Sequence, residues 1–94
     1  MKRLRFDPRA RQDLEEATEY YGPSVAAGFL DAIEHVLEIL CHHPFSGTAI
    51  QRGARTWPLS KYPYLLVYRV EGDDLILLAV AHMRRHAGFW RKRL

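Results

Sequence analysis

Residues 82–94, HMRRHAGFWRKRL, contain the side chains whose types and spacing best suit chemistry. They include two histidines, five Arg or Lys residues and two aromatics, with no acid among them. A histidine transfers protons near neutral pH, and an arginine binds phosphate or carboxylate groups. The segment therefore predicts a site that acts on, or docks against, an anionic partner.

The charge along the rest of the chain is equally uneven. Residues 12–51 contain seven acids and no Lys or Arg, whereas the net charge of the whole chain is +3. A basic pole of this kind indicates a polyanion or an acidic protein surface as partner. The competing interpretation is a solvated face that binds nothing.

A predicted strand over residues 75–83 delivers the basic segment to one place on the surface. It follows a second apolar strand, 62–70, across the turn EGDD, which predicts a β-hairpin. Pairing Val70 with Leu75 in one continuous register gives the hairpin two apolar faces. One face carries Tyr64, Leu66, Tyr68, Val70, Leu75, Leu77, Ala79 and Ala81. The other carries Leu65, Val67, Arg69, Ile76, Leu78, Val80 and His82.

Two acidic amphipathic helices precede this hairpin. The first begins at Asp7-Pro8, an N-cap followed by proline, and ends at Gly22-Pro23; the second begins near Ser24 and ends at His42-His43-Pro44. The acids of the first helix are predicted to face water: Asp13, Glu15, Glu16 and Glu19. With strands at 2–6 and 54–59, the chain reads as a single domain over 1–94. The fold class is α+β, β-α-α-β-β-β, with a helical hairpin packed on a small twisted antiparallel sheet.

The helical hairpin covers only one face of that sheet, so the second apolar face predicts a partner site. The residues expected there are Leu65, Val67, Ile76 and Leu78. The alternative is that the C-terminal segment, with Phe89 and Trp90, folds back over this face.

Several classes of function are disfavoured by the sequence. No apolar run is long enough to cross a membrane and no signal-peptide pattern is present, so we expect a cytoplasmic protein without membrane contact. Cys41 is alone, which fits a reducing compartment. His82 with His86, or His42 with His43, have no cysteine pair or acidic partner nearby, so neither a metal nor any other cofactor is expected.

In this order, the elements resemble the RelE/ParE superfamily of bacterial type II toxin–antitoxin toxins, also labelled plasmid stabilisation proteins. The pieces that carry the resemblance are ARQDLEEATEYY, AAGFLDAIEHVLEILCHHPFSG, YPYLLVYRV and VAHMRRHAGFW. The long helical hairpin is more similar to the ParE branch than to the RelE branch.

The ParE resemblance implies a toxin that inhibits DNA gyrase by binding and is neutralised by a cognate antitoxin. It implies no catalytic residue. Target contact is expected on the C-terminal part of the chain, at Arg84, Arg85, Phe89, Trp90, Arg91 and Arg93. Antitoxin contact is expected at the second sheet face, or in the groove beside the helices.

The RelE branch provides the alternative, an endoribonuclease that cuts mRNA on the ribosome. In that reading His82, Arg85 and His86 take the acid–base and phosphate-binding roles. However, the strand arginine of RelE-like sequences is Leu65 here, and the later tyrosine falls on Phe89 or Trp90. A third reading is a degenerate toxin kept only as the partner of its antitoxin.

Overall fold

The computed structural model describes residues 1–85 and 88–94. The elements are β1 (Arg3–Phe6), α1 (Pro8–Tyr21), α2 (Pro23–His42), β2 (Thr48–Ala49), β3 (Ala54–Pro58), β4 (Tyr64–Glu71) and β5 (Asp74–His82). Short 3-10 turns lie at Gln51–Gly53 and Phe89–Arg93. The predicted α+β class and element order are confirmed, with the two-residue strand β2 as an addition.

The helical hairpin forms for the local reasons that the sequence offers. The Asp7 side chain accepts a hydrogen bond from the backbone N of Arg9 at 2.8 Å, which caps α1. Gly22 adopts φ 77°, a left-handed value that glycine tolerates, and this residue turns the chain from α1 into α2. Helix α2 then buries an apolar stripe against the sheet: Ala26, Phe29, Ile33, Leu37, Leu40 and Cys41.

The sheet has the strand order β1-β5-β4-β3-β2, and it is mixed rather than antiparallel throughout. Strand β1 pairs with β5 in parallel, with Leu4 opposite Leu75 and Phe6 opposite Leu77. Parallel neighbours need a long crossover connection, and the two helices with the following strands provide it. The predicted antiparallel sheet is therefore wrong at this one strand pair.

A β-bulge interrupts the predicted register of the β4–β5 hairpin. Val70 pairs with Leu75 and Tyr68 with Leu77 as predicted, but Val67 pairs with Ala79 because the register shifts between Val67 and Tyr68. One extra residue exchanges the two faces of a strand. Beyond the bulge, the predicted faces are consequently wrong for β5, at residues 79–82, whereas the predicted faces of β4 are confirmed.

Side-chain packing shows the exchange. Val80 belongs to the core under the helices, and the His82 ring lies edge-on to Tyr64 with the ring centroids 5.1 Å apart. Ala79 and Ala81 lie instead on the second face of the sheet, away from the helices.

The second face is covered by the C-terminal segment, residues 88–94. Trp90 is 6% exposed and packs in a cluster with Val67, Leu78 and Ala79, and Phe89 and Leu94 pack beside it. The alternative in which this segment folds back on the sheet is therefore the one found.

Candidate functional site

The predicted target-binding residues divide into exposed and covered side chains. Arg84, Arg85 and Arg91 are exposed, and they are called the basic end below. Phe89 is half-buried, whereas Trp90 is buried against the second face. The side chain of Arg93 is only 11% exposed. Three of the six predicted target contacts are therefore fully or partly covered in this conformation, and the basic end supplies the accessible charge.

His82 is held as a structural residue at the end of β5. Its Nδ1 atom accepts hydrogen bonds from the backbone N of Arg84 at 3.1 Å and of Arg85 at 3.2 Å. Burial of the ring, followed by the nearby charges of Arg85 and Arg84, lowers the pKa of His82 below its usual value. A neutral imidazole ring has one acceptor nitrogen, and in His82 this nitrogen accepts the hydrogen bonds from the turn that follows β5.

This geometry limits the chemistry of the predicted ribonuclease set. A general base needs a free lone pair, and a general acid near neutral pH needs the imidazolium form. His82 lacks the first because Nδ1 is occupied, and its lowered pKa disfavours the second. Arg85 stacks its guanidinium on the ring of Tyr20 at 4.3 Å. His86 lies outside the described residues.

A cleft of about 450 Å³ lies between α1 and the end of β5. Its walls include the carboxylates of Asp13 and Glu16 as well as Arg85 and His82. Arg93 lines the cleft as well and pairs with Asp13, so two carboxylates balance two guanidinium groups. The cleft therefore lacks the excess of positive charge with which proteins bind an RNA backbone.

The prediction that Asp13 faces water is wrong. Its side chain is 9% exposed and forms an ion pair with Arg93, whose Nη1 lies 2.7 Å from Oδ2. The signal was present in the sequence: Asp13 follows the buried Ala10 by three residues and precedes the buried Ala17 by four, which places it on the same helix face.

The predicted antitoxin residues lie under or beside the C-terminal segment. Val67 and Leu78 are 0% and 5% exposed, and Leu65 and Ile76 are half-buried at the border of the same cluster. A partner contacts Val67 or Leu78 only after the C-terminal segment has left the sheet.

A second concavity, called the groove here, is open and apolar. It has a volume of about 860 Å³ and lies between β1 and α2. Its apolar lining includes Leu4, Phe6, Leu14, Leu30, Ile33 and Leu37. Leu4 and Leu30 are each 41% exposed. The sequence predicts a groove beside the helices but not its residues, because Leu4 and Leu30 are distant in sequence and are brought to one surface only by the fold.

The rims of the groove carry opposite charges. Lys2 and Arg3 lie on the strand side, and Glu34 and Glu38 lie on the helix side. Strand β1 is an edge of the sheet among the described residues, so its outer backbone groups adjoin the groove. An extended or helical segment with an apolar face and both kinds of charge fits this surface.

Neither a metal nor a membrane site is found in the described part of the chain. Residues 1–85 and 88–94 contain no cluster of three or more His, Cys, Asp or Glu side chains arranged to hold a metal ion. Within the same residues, neither helix has the length and apolar character needed to cross a membrane.

Comparisons with known proteins agree with this fold. The structure is similar to a chain of the chromosomal ParDE TA system from P. aeruginosa, with a TM-score of 0.75 and 24% sequence identity, covering 87% of this chain and 96% of that chain. A likeness at this identity shows a shared fold. A search of curated proteins found no match. The sequence matches the family described as ParE toxin of type II toxin-antitoxin system, parDE, over residues 4–87. The chain therefore belongs to the ParE toxin family of type II toxin–antitoxin systems.

Proposed function

We propose that this ParE-family toxin inhibits DNA gyrase by binding it through the basic end, and that it acts in the cytoplasm, where gyrase works. The observation that carries the proposal is the state of His82. Its acceptor nitrogen is committed to the backbone of Arg84 and Arg85, so the side chain best placed for acid–base chemistry instead shapes the turn that bears two arginines.

The surface of the basic end supports docking against an acidic protein surface. Arg84, Arg85 and Arg91 are exposed. Phe89, which lies between Arg85 and Arg91 in the sequence, is half-buried. Exposed arginines steer an acidic partner and form paired hydrogen bonds with its carboxylates. Binding of this kind needs no catalytic group.

The ribonuclease alternative lacks comparable support. The position of the strand arginine is Leu65, which packs at the border of the second-face cluster. The acids of the cleft that contains His82 balance its two arginines, so the cleft lacks the excess of positive charge that a phosphate backbone attracts.

We propose that the groove is the antitoxin-binding site. A toxin of this family has a cognate antitoxin as partner, and the groove is apolar, open and bordered by an edge strand. Its mixed rim, with Lys2 and Arg3 facing Glu34 and Glu38, matches an amphipathic segment that carries both charges. Docking there requires no movement of the C-terminal segment.

Leu65, Val67, Ile76 and Leu78 remain the second proposed antitoxin surface. They are apolar and contiguous, but Trp90 covers them. An antitoxin that binds these residues must displace residues 88–94. The two proposed binding sites are therefore distinguished by whether Trp90 becomes exposed when the antitoxin binds.

The test of function is induction of the toxin with two separate readouts: supercoiling by purified gyrase and cleavage of messages on translating ribosomes. We expect loss of supercoiling with intact messages. Normal supercoiling in excess toxin, together with codon-positioned cuts, would overturn the proposal. An inert chain in both assays that still binds its antitoxin would identify a degenerate toxin.

A further inference from the structure

Asp13 connects three separate parts of the fold. Its Oδ2 accepts hydrogen bonds from Arg93 Nη1 at 2.7 Å and from the backbone N of Val80 at 3.0 Å, and its Oδ1 accepts from Arg93 Nη2 at 3.2 Å. Arg93 Nη1 also donates to the carbonyl oxygen of Leu78 at 3.0 Å. Helix α1, strand β5 and the C-terminal segment therefore meet at one ion pair.

The position of this ion pair follows from the end of β1. Phe6 is the last residue of β1 and lies opposite Leu77, so among the described residues β5 has no strand on that side beyond this point. The outward N–H of Val80 and carbonyl of Leu78 still need partners, because partly buried backbone groups are costly when unsatisfied. Asp13 and Arg93 replace the missing strand.

The ion pair is mostly shielded from water. The side chains of Asp13 and Arg93 are 9% and 11% exposed, and their contact is bidentate. A charge-assisted pair in this setting is strong and directional, and the loss of either partner leaves the other charge buried and unpaired. The Arg93 guanidinium also lies 4.9 Å from the centre of the Phe89 ring, so its placement fixes that aromatic as well.

We infer that Asp13 is a positioning residue, which holds Arg93 and thereby fixes residues 88–94 in the conformation that presents Phe89 and Arg91 to the target. The part that concerns target binding rests on the proposed function. Arg93, which is predicted from the sequence to contact the target directly, acts instead from inside the protein. Because the groove lies on the β1 and α2 side, antitoxin docking there does not depend on the ion pair.

Asp13→Asn is the informative change, since it removes the charge and leaves a side-chain oxygen for the N–H of Val80. Glu15→Gln is the matched control, because Glu15 lies on the same helix and is exposed. Both are made in a Trp57→Phe background, so that Trp90 alone reports on the C-terminal segment by its emission maximum and its quenching by acrylamide. Thermal melts confirm that each variant is folded.

For Asp13→Asn we expect red-shifted, more easily quenched Trp90 emission. We also expect gyrase binding weakened by as much as about 100-fold, the largest factor by which the loss of an internal hydrogen bond to a charged group lowers the population of the held conformation. Antitoxin affinity is expected to stay unchanged. Asp13→Glu keeps the carboxylate and should recover part of both the emission and the gyrase affinity, whereas Glu15→Gln should match the wild type in both.

Two results overturn the inference. Unchanged Trp90 emission in Asp13→Asn and in Arg93→Gln would show that the ion pair does not hold the segment. Altered emission with full gyrase affinity would show that the held conformation does not matter for target binding. If the wild-type chain does not bind gyrase, the proposed function fails, and the Trp90 readout still decides whether Asp13 holds the segment.

Discussion

The ring nitrogen Nδ1 of His82 lies 3.2 Å from the backbone N of Arg85 and accepts its hydrogen bond. A residue that the sequence offers as a proton-transfer group is thus a cap on the turn that carries the basic end. The same contact orients an arginine and removes a catalytic role, so binding follows from this geometry more directly than catalysis.

The first prediction concerns pH. Because the folded state lowers the pKa of His82 from its ordinary value of 6.5, the unfolded chain binds more protons in the window below that value. The contribution of His82 to stability is therefore complete above about pH 6.5 and is lost as the pH falls. Urea unfolding at pH 7.5 and pH 5 should show lower stability at pH 5.

His82→Asn isolates this effect, since asparagine accepts hydrogen bonds from nearby backbone N–H groups and does not titrate. We expect the difference in unfolding free energy between the two pH values to shrink in this variant. His43→Gln, a change at an exposed position, serves as the control. An unchanged pH dependence in His82→Asn would contradict the assignment.

The second prediction is that His82→Asn remains toxic. If His82 only shapes the turn, an asparagine acceptor preserves the placement of Arg84 and Arg85 and hence target binding. A ribonuclease that used His82 for proton transfer would lose activity by about 100-fold or more. Growth after induction, at matched protein levels, distinguishes the two.

The third prediction concerns Trp90. Its side chain is 6% exposed and packs on Val67 and Leu78, so Trp90→Ala should lower the free energy of unfolding by about 3–5 kcal/mol. The variant should also self-associate, because the second face of the sheet becomes open to solvent. Chemical denaturation and sedimentation measure both effects. A loss below about 1 kcal/mol would show that the segment contributes little to the core.

The fourth prediction tests the helix cap. The hydrogen bonds and charge of Arg9 lower the pKa of Asp7 to about 2, so its contribution is present above the ordinary value of 3.8 and is lost as the pH falls toward 2. Asp7→Ala should lower the free energy of unfolding at pH 7 by about 0.5–2 kcal/mol. The difference between the variant and the wild type should narrow as acid protonates Asp7; a constant difference from pH 7 to pH 2 would refute the cap.

The fifth prediction separates the two antitoxin surfaces. Leu4→Ser with Leu30→Ser removes apolar contact from the groove, and both residues are 41% exposed, so the fold should survive. We expect weaker antitoxin binding by isothermal titration, with gyrase binding retained. Leu65→Ser with Ile76→Ser is the matched pair on the second face. If only the Leu65→Ser, Ile76→Ser variant weakens the antitoxin complex, the groove is not the antitoxin-binding site.

Local patterns predict the repeating parts of this fold and miss its exceptions. Helical spacing indicates both helices, and the turn at residues 71–74 indicates the β4–β5 hairpin. The bulge at Leu78 is invisible to these patterns, because a single extra residue leaves the apolar run continuous while exchanging the faces of Ala79 and Val80. The parallel pairing of β1 also depends on contacts distant in sequence.

The candidate site shows the same division. Its place at the end of β5 follows from the sequence, because a buried strand must deliver the next residues to one edge. The partners of its side chains do not, since Asp13 meets Arg93 eighty positions away and His82 bonds to the turn that follows it. Charge counts treat Arg84 and Arg93 alike, but only the fold distinguishes an exposed guanidinium from a covered one.

The most direct test of the central claim is the gyrase affinity of a variant in which Arg84 and Arg91 are both changed to Gln. The control changes Arg5 and Arg52 to Gln, which removes the same charge from exposed positions outside the basic end. We predict that the first variant binds gyrase at least about tenfold more weakly and keeps its antitoxin affinity, while the control binds as the wild type does. Equal gyrase affinity in all three proteins would contradict docking through the basic end.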